Sequence, residues 1–438
     1  MSPSSTDTIF ALASGAGRAA VAVIRLSGAG AKPALTRFSG LELKPRFAHY
    51  ARFRDPKSGE TLDRGLALFF PGPASATGED CVELHLHGGP AVVGGVLAAL
   101  AREPGLRAAE PGEFARRAFL TGKLDLAQVE ALADLIEART AFQRRQALRL
   151  AGGALRRETE AWRGAIVEAM ARVESDLDFA DEAEVSGVSA GELEKLLAST
   201  LASIDTALAS APASERLREG FLVAILGPPN AGKSTLLNAL ARREAAIVSD
   251  EPGTTRDLIE VDLDLAGLPI TLVDTAGLRE SESAVERIGV ARARARAGEA
   301  DLILWLSEGG AEPSPDFGLE AAEVLCIATK ADAVAPAQGA LALSAREGGG
   351  IDALCGEIAR RAGSALGDGG AALVAHARQR AELEAARARL RAALDRDKAP
   401  ELVAEDLRLA ARALERIAGA VDVEELLDLI FSRFCIGK

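Results

Sequence analysis

Residues 227–235 read Gly-Pro-Pro-Asn-Ala-Gly-Lys-Ser-Thr. The stretch follows Phe221-Leu-Val-Ala-Ile-Leu226, a short continuous apolar run. It precedes Leu236-Leu-Asn-Ala-Leu240, where a helical pattern begins. Strand, glycine-rich turn and helix are the context in which GxxxxGKS is a phosphate-binding loop. Gly227 and Gly232 allow a backbone whose N–H groups turn inward on a polyphosphate. The helix adds the positive end of its dipole. Lys233 is placed to reach the β- and γ-phosphates, and the Ser234 hydroxyl to hold Mg²⁺. Asn230, Ala231, Gly232 and Thr235 complete the candidate nucleotide-binding loop. The competing reading, an ordinary strand-turn-helix, lacks a reason for Gly-Lys-Ser at this place.

Further motifs follow in order. Asp274-Thr-Ala-Gly277 closes the apolar run Ile270-Thr-Leu-Val273. An Asp at a strand end before a glycine meets Mg²⁺, often through water, and the Gly277 N–H can meet a γ-phosphate; Thr275 and Ala276 lie between. Upstream, Gly253-Thr-Thr-Arg-Asp257 has switch-loop character, with Thr255 able to complete the Mg²⁺ shell. Thr329-Lys-Ala-Asp332 follows Val324-Leu-Cys-Ile-Ala328 and is a variant of the base-reading Asn-Lys-x-Asp. Asp332 would accept from guanine N1 and N2, for which adenine has no matching donors. Thr329 replaces the usual Asn, which predicts one weakened contact, and Lys330 is the motif lysine. Ser344, Ala345 and Arg346 fit the loop whose backbone amide meets guanine O6. Together these motifs define a GTPase rather than an ATPase. Leu278 stands where small GTPases keep a water-orienting Gln, and its side chain makes no hydrogen bond. Glu286 is a downstream carboxylate able to do that work, although the residues alone favour a solvated helix position.

The chain has 438 residues, too many for one core, and 48% of them are hydrophobic. A net charge of −13 argues against a broad basic surface wrapping nucleic acid unaided, though not against a local patch or a partner that supplies one. Cys81, Cys326, Cys355 and Cys435 form no CxxC, so neither a zinc ribbon nor a disulfide framework is indicated. Neither a signal peptide nor a spanning segment is evident, so a cytoplasmic protein is expected.

The expected fold is multidomain α/β plus all-α. Residues 1–118 read as an N-terminal α/β domain, 119–216 and 371–438 as two parts of a helical domain, and 217–370 as a GTPase domain inserted between them. Val21–Leu26, Leu66–Phe70 and Val82–His87 are strand candidates. Val82-Glu-Leu-His-Leu-His87 alternates, which puts Glu83, His85 and His87 on one face. Without further ligands nearby, a polar pocket wall is the better reading than a metal site. Trp162, Ile166, Met170, Val173 and Leu177 form one helical apolar stripe, and Asp178–Glu184 an acidic loop.

Gly17-Arg18 through Ser27-Gly28, Phe70-Pro-Gly-Pro73, Thr77-Gly-Glu-Asp80, His87-Gly-Gly-Pro90, Pro111-Gly-Glu-Phe114, Lys123-Leu-Asp-Leu-Ala-Gln128 and the terminal Phe434-Cys-Ile-Gly-Lys438 resemble the MnmE (TrmE) family of bacterial tRNA-modification GTPases. The resemblance is essentially full-length and fits the fold order: a folate-binding-type domain, a helical bundle and an inserted Ras-like GTPase. It implies modification of carbon 5 of the wobble uridine in certain tRNAs, giving an aminomethyl or carboxymethylaminomethyl group. A tetrahydrofolate derivative, 5-formyl or methylene, would donate the one-carbon unit. The implied partners are a second copy of the chain, tRNA met mainly through the complex, and the flavoprotein MnmG (GidA), which holds the FAD. No membrane is implied.

By position in the family, Arg25, Glu83, Lys123 and Lys438 would contact the folate. K⁺ would sit at the nucleotide on Asn230, Ser249, Glu251 and Thr254, with Pro252 a departure that stiffens the switch loop. Glu286 takes the place of the family's catalytic carboxylate, and Cys435 that of a cysteine implicated in the modification. Arg256 and Arg279 read as loop and dimer contacts. Two other classes remain in view: a non-enzymatic switch in ribosome or ribonucleoprotein assembly, and a membrane-associated GTPase. The first usually carries a basic RNA-binding module, and the second needs an anchor or a basic amphipathic helix.

Overall fold

A computed structural model describes residues 7–178, 190–228, 230–242, 246–247, 260–274, 298–313, 323–331, 334–344, 349–367, 371–395, 397–421, 427, 430–431, 434 and 437. At residues 176, 178, 190, 246, 247 and 274 the description stops at the backbone. The chain divides into two compact units, Met1–Ala133 with Leu414–Lys438, and Asp134–Ala413.

The first unit is built on β1 (Thr8–Leu12), β2 (Ala19–Ser27), α1 (Ala31–Ser39), β3 (His49–Arg54), β4 (Thr61–Phe70), β5 (Cys81–Gly88), α2 (Pro90–Ala101), β6 (Leu106–Ala108) and α3 (Glu113–Leu120). The six strands form one sheet in the order β3-β4-β5-β2-β1-β6. Its pairs are antiparallel apart from the parallel pair β1–β6. The alternation in β5 holds: Val82, Leu84 and Leu86 are buried, and Glu83, His85 and His87 face the other way. The buried face packs on α1 and α2 through Ile24, Leu26, Phe38, Phe53, Phe69 and Leu100. On the opposite face Phe114 of α3 covers Ile9 and Ala11 of β1.

The second unit combines helices with a sheet. After α4 (Leu126–Glu137) come α5 (Ala141–Ala151), α6 (Ala154–Asp178) and α7 (Ala190–Glu219). Thr140 and Gln143 start α5 with a reciprocal capping box. The Trp162 stripe lies on α6, with Trp162, Ile166 and Val173 buried and the indole N–H donating to Ser203 Oγ of α7 at 2.9 Å. Of the acidic stretch, Asp178 ends α6 and residues 179–184 lie outside the described residues. Gly191–Glu219 is long and apolar enough to cross a membrane by length and composition. Here it packs between α6 and the later helix α10 (Ala377–Ala393).

The sheet holds β7 (Phe221–Leu226), β8 (Ala246–Ile247), β9 (Glu260–Leu265), β10 (Leu268–Asp274), β11 (Leu302–Glu308), β12 (Glu323–Thr329) and β13 (Leu341–Leu343), ordered β13-β12-β11-β7-β10-β9-β8. Strands β10, β7, β11, β12 and β13 run parallel, and β9 and β8 join antiparallel. Every residue of β7 is buried, as a central strand covered on both faces requires. Helices α8 (Lys233–Ala241) and α9 (Ile351–Leu366) cover this sheet; α11 (Pro400–Ala418) follows α10.

Candidate functional site

The parallel strands bring their carboxyl ends to one edge, where open α/β sheets bind ligands. The loop after β7 lies there. Gly227 has φ +149, and a Cβ built on it would stand 2.1 Å from the Leu306 carbonyl oxygen of β11. Only glycine lets the loop leave the sheet at this point. Asn230 is left-handed (φ 62) and exposed, and Gly232 (φ 91) caps α8. Ala231 is buried, which anchors the loop, while Ser234 and Thr235 stand exposed at the start of α8. The Lys233 ammonium lies over the loop, donating to the carbonyls of Gly227 (2.8 Å) and Pro228 (3.0 Å). The cradle is therefore loop, helix N-terminus and one flexible cation, a set suited to phosphate.

Along the same edge stand the Mg²⁺ candidate Asp274 on one side of β7 and the base-reading candidates on the other. Asp274 ends β10 opposite Ile225 of β7; its side chain is outside the description. Thr329 ends β12, pairs with Leu343 of β13, and is buried. Its hydroxyl donates to the Ser307 carbonyl of β11 at 3.2 Å, and that carbonyl also takes the Gly310 N–H at 3.3 Å. Lys330 turns left-handed (φ 56), and its ammonium pairs with Glu308. The Ala331 N–H donates to the Leu343 carbonyl at 3.3 Å, which ties this loop to the one beginning at Ser344. Ser344 is buried, and its hydroxyl has no hydrogen-bond partner among the described residues. Thus Asn230 and Lys233 follow β7, Thr329 and Lys330 close β12, and Ser344 follows β13, all at the carboxyl ends of strands in one sheet. Ser249, Glu251, Pro252, Thr254, Thr255, Arg256, Thr275, Ala276, Gly277, Leu278, Arg279, Glu286, Asp332, Ala345 and Arg346 lie outside the described residues.

A second polar site lies in the first unit. Arg25 of β2 and Glu83 of β5 are register partners, joined at 2.9 Å and 3.1 Å from the guanidinium to Glu83 Oε1. His85 Nε2 is 3.3 Å from Glu83 Oε2, and the Arg25 guanidinium lies 5.9 Å from the centroid of the Phe114 ring. Both partners are only partly exposed, at 27% and 21%. The pair leaves carboxylate and guanidinium edges for a ligand that carries both acceptors and N–H donors.

Behind it is a buried network that sequence reading did not find. Glu113 accepts both Arg107 nitrogens (2.8 and 2.6 Å), the Glu110 N–H (3.0 Å) and Arg117 (3.1 Å). Arg117 also donates to Glu79 (2.9 Å), which accepts from the Ser27 hydroxyl (2.7 Å). Burial pushes the Glu113 carboxyl up, but its arginines and backbone N–H outweigh this and hold it below the usual carboxylate range. Only the alternation of acid and base around α3 signalled this network in the sequence.

The C-terminal tail comes to the same sheet. Gly437 has φ +103, and a Cβ there would be 2.0 Å from the Leu12 carbonyl oxygen at the end of β1. Leu12 pairs with Ile24, the neighbour of Arg25. Cys435 and Lys438 lie outside the described residues. Lys123 is exposed in the turn after α3, and among the described residues no bond joins it to Arg25 or Glu83. Among the described residues no group of three or more His, Cys, Asp or Glu could hold a metal ion.

A mostly parallel sheet with a phosphate loop at its centre and candidate base-reading loops beside it gives the second unit the nucleotide domain of a P-loop GTPase. Matches to known proteins narrow the class. The MnmE helical domain profile covers residues 126–435, and that of the GTP-binding protein TrmE N-terminus residues 8–123. The tRNA modification GTPase MnmE of Beijerinckia indica is 52% identical over 434 residues, which span 99% of this chain and 96% of that protein. That of Azorhizobium caulinodans is 53% identical, covering 99% of both chains. That of Methylobacterium sp. (strain 4-46) is 55% identical, covering 99% of this chain and 100% of the relative. The chain belongs to the MnmE family of tRNA modification GTPases, and it is an enzyme that hydrolyses GTP. Membership leaves the assembly-switch and membrane-associated alternatives without support.

Proposed function

We propose that this tRNA modification GTPase depends on K⁺ and acts as a homodimer in the cytoplasm with a flavoprotein of the MnmG (GidA) type, which holds the FAD. Its product is an aminomethyl-type group on carbon 5 of the wobble uridine of certain tRNAs. The one-carbon unit comes from a tetrahydrofolate derivative, 5-formyl or methylene. The observation that carries the reading is the meeting of two remote segments on one sheet: the tail at Gly437 against Leu12, and the Arg25–Glu83 pair one strand away.

Arg25, with Lys123 and Lys438, offers cationic partners to the carboxylates of a folate tail. Glu83 offers acceptors to pterin N–H groups, and Phe114 an apolar ring beside them. A bound folate supplies the activated one-carbon unit. Cys435, two residues before Gly437, is the nucleophile candidate at this end of the chain. At the nucleotide, Lys233 and the α8 N-terminus hold the phosphates, with Mg²⁺ on Ser234 and Thr255. Asn230 presents its amide at the tip of the loop, where a K⁺ ligand is required, with Ser249, Glu251 and Thr254 completing the set. K⁺ supplies there the positive charge that an arginine supplies in other GTPases. Glu286 orients the attacking water that Leu278 cannot.

The test is paired. Nucleosides of tRNA from a strain lacking the gene should lose the modified wobble uridine. GTP turnover by the purified chain should be much faster in KCl than in NaCl at equal ionic strength. An unchanged nucleoside profile defeats the modification reading, and equal rates in the two salts defeat the K⁺ reading alone.

A further inference from the structure

The face of the first sheet that carries Arg25 and Glu83 continues toward the edge strand β3 and changes character. Leu66 pairs with both His85 and Tyr50, so Tyr50, Leu66 and His85 form one cross-strand row. Two residues further along β3 and β4, Arg52 pairs directly with Arg64. Tyr50, Arg52 and Arg54 alternate with buried Ala51 and Phe53, so all three side chains share the open face. Arg52, Arg54 and Arg64 are exposed and make no ion pair among the described residues. From Lys44 to Arg54 the sequence holds Lys44, Arg46, Arg52 and Arg54 and no carboxylate, in a chain of net charge −13. Two aromatic side chains stand exposed among the described residues, Tyr50 at 70% and Phe47 at 58%, and both lie in this segment.

Charge on an edge strand has an ordinary use, since it blocks pairing with another sheet. That use explains neither the exposed rings, which work against it, nor an arginine set opposite an arginine, which costs stability. Unpaired guanidinium groups interleaved with exposed rings match what single-stranded nucleic acid offers, phosphates and flat bases. A protein partner with an acidic surface would satisfy the arginines but leave the rings without a flat apolar counterpart. The placement also fits the chemistry. At roughly 3.4 Å per strand residue, the Tyr50–Leu66–His85 row lies about 7 Å from the Glu83 row, and the Arg52–Arg64 row about 7 Å beyond it. A strand of RNA held by the arginines would extend a base toward the Arg25–Glu83 pair.

We propose that the β3–β4 edge, with Arg52, Arg54 and Arg64 on phosphates and Tyr50 stacked on a base, is a tRNA-binding surface of this chain. The proposal deepens the reading of the chain as a tRNA-modifying enzyme, because it assigns part of the RNA contact to this chain rather than to its flavoprotein partner. The probe is unmodified tRNA transcript, and its binding to the full-length protein is read by fluorescence anisotropy across a salt series. R52E/R54E/R64E should weaken binding at least tenfold and, by losing three phosphate contacts, lower the slope of log affinity against log salt by about two. Tyr50→Ala should weaken it about fivefold or more, and Tyr50→Phe should restore most of the loss. GTP turnover and the oligomeric state should not move. Binding within twofold of the unaltered protein, with the same salt slope, overturns the proposal. So does a change of oligomeric state in the triple variant, which would make this edge a contact between copies. Binding of phosphatidylserine vesicles by the patch in place of tRNA overturns it as well. If the nucleosides depend on the gene while these affinities stay constant, the modification reading stands and this surface alone fails.

Discussion

The phosphate loop and the open face of the first sheet place cations by opposite means. The loop is contiguous and mostly backbone: Gly227 to Ser234 supply a turn, a helix N-terminus and one ammonium. The sheet face is assembled from side chains, with Tyr50 from β3, Leu66 from β4, Glu83 and His85 from β5, and Arg25 from β2. Its geometry depends on strand register, and on whatever holds α3 and the strand ends beneath it. A local site fails when one group is removed. A distributed site fails when its support is removed, even where the support touches no ligand.

Glu113 is the sharpest place to break that contrast. It is 4% exposed and joins Arg107, Arg117 and the Glu110 N–H. Glu113→Gln removes one counter-charge from each of two arginines, leaving Arg107 with Asp7 and Arg117 with Glu79, at a cost of about 3 kcal/mol to the first unit. Hydrogen exchange at β1 and α3 amides should accelerate roughly a hundredfold, while β7 and β11 stay protected. The pH dependence has a definite sign. The folded carboxyl lies below its ordinary value, so its stabilisation is complete above the unfolded pKa of about 4.3 and falls away as pH drops through the folded value. The glutamine variant should lose this acid-side decline. Equal exchange in both proteins would show that the network does not support the face.

Lys233 tests the local side. Its ammonium already lies over the loop carbonyls, 2.8 Å and 3.0 Å away, where a triphosphate would replace them as partners. Lys233→Ala should lower kcat/KM for GTP about 10²–10³-fold, the scale of losing one donor to developing negative charge. Protection in the first unit and tRNA affinity should not change. A loss of turnover below tenfold would mean that the helix N-terminus and backbone suffice.

The same contrast governs how much the residues alone disclosed. The loop, the Asp274 turn and the Thr329–Asp332 motif are short contiguous strings whose chemistry follows from spacing, and Asp274 and Thr329 stand at the ends of β10 and β12. The alternation of Val82–His87 also gave its faces correctly, because period two is local. Tyr50, Arg52 and Arg64 carried no such signal. Arg52 meets Arg64 only through the β3–β4 register, and register is a property of pairing rather than of either string. The Glu113 network was hidden for the same reason: Asp7, Ser27, Glu79 and Arg117 meet only once β1, β2 and α3 are packed.

Thr329 lies between the two cases, a motif position whose use is set by a neighbouring strand. The side chain expected there, an asparagine, has an amide N–H to spare for the base. A hydroxyl has one hydrogen, and that of Thr329 goes to the Ser307 carbonyl at 3.2 Å. Guanine N7 is an acceptor and needs a donor, which this residue no longer has. Selection of guanine would then rest on the N1 and N2 edge, for which Asp332 is the proposed reader. The chain should therefore bind 7-deaza-GDP within about twofold of GDP, less than the full worth of one neutral hydrogen bond. Thr329→Asn should open a gap of roughly two- to tenfold between the two nucleotides. Thr329→Val should lower affinity for both alike, because it removes the side-chain tie between the ends of β12 and β11 without touching the base. If the unaltered protein already prefers GDP tenfold, N7 is read by another group, and the Ser307 bond does not decide selectivity.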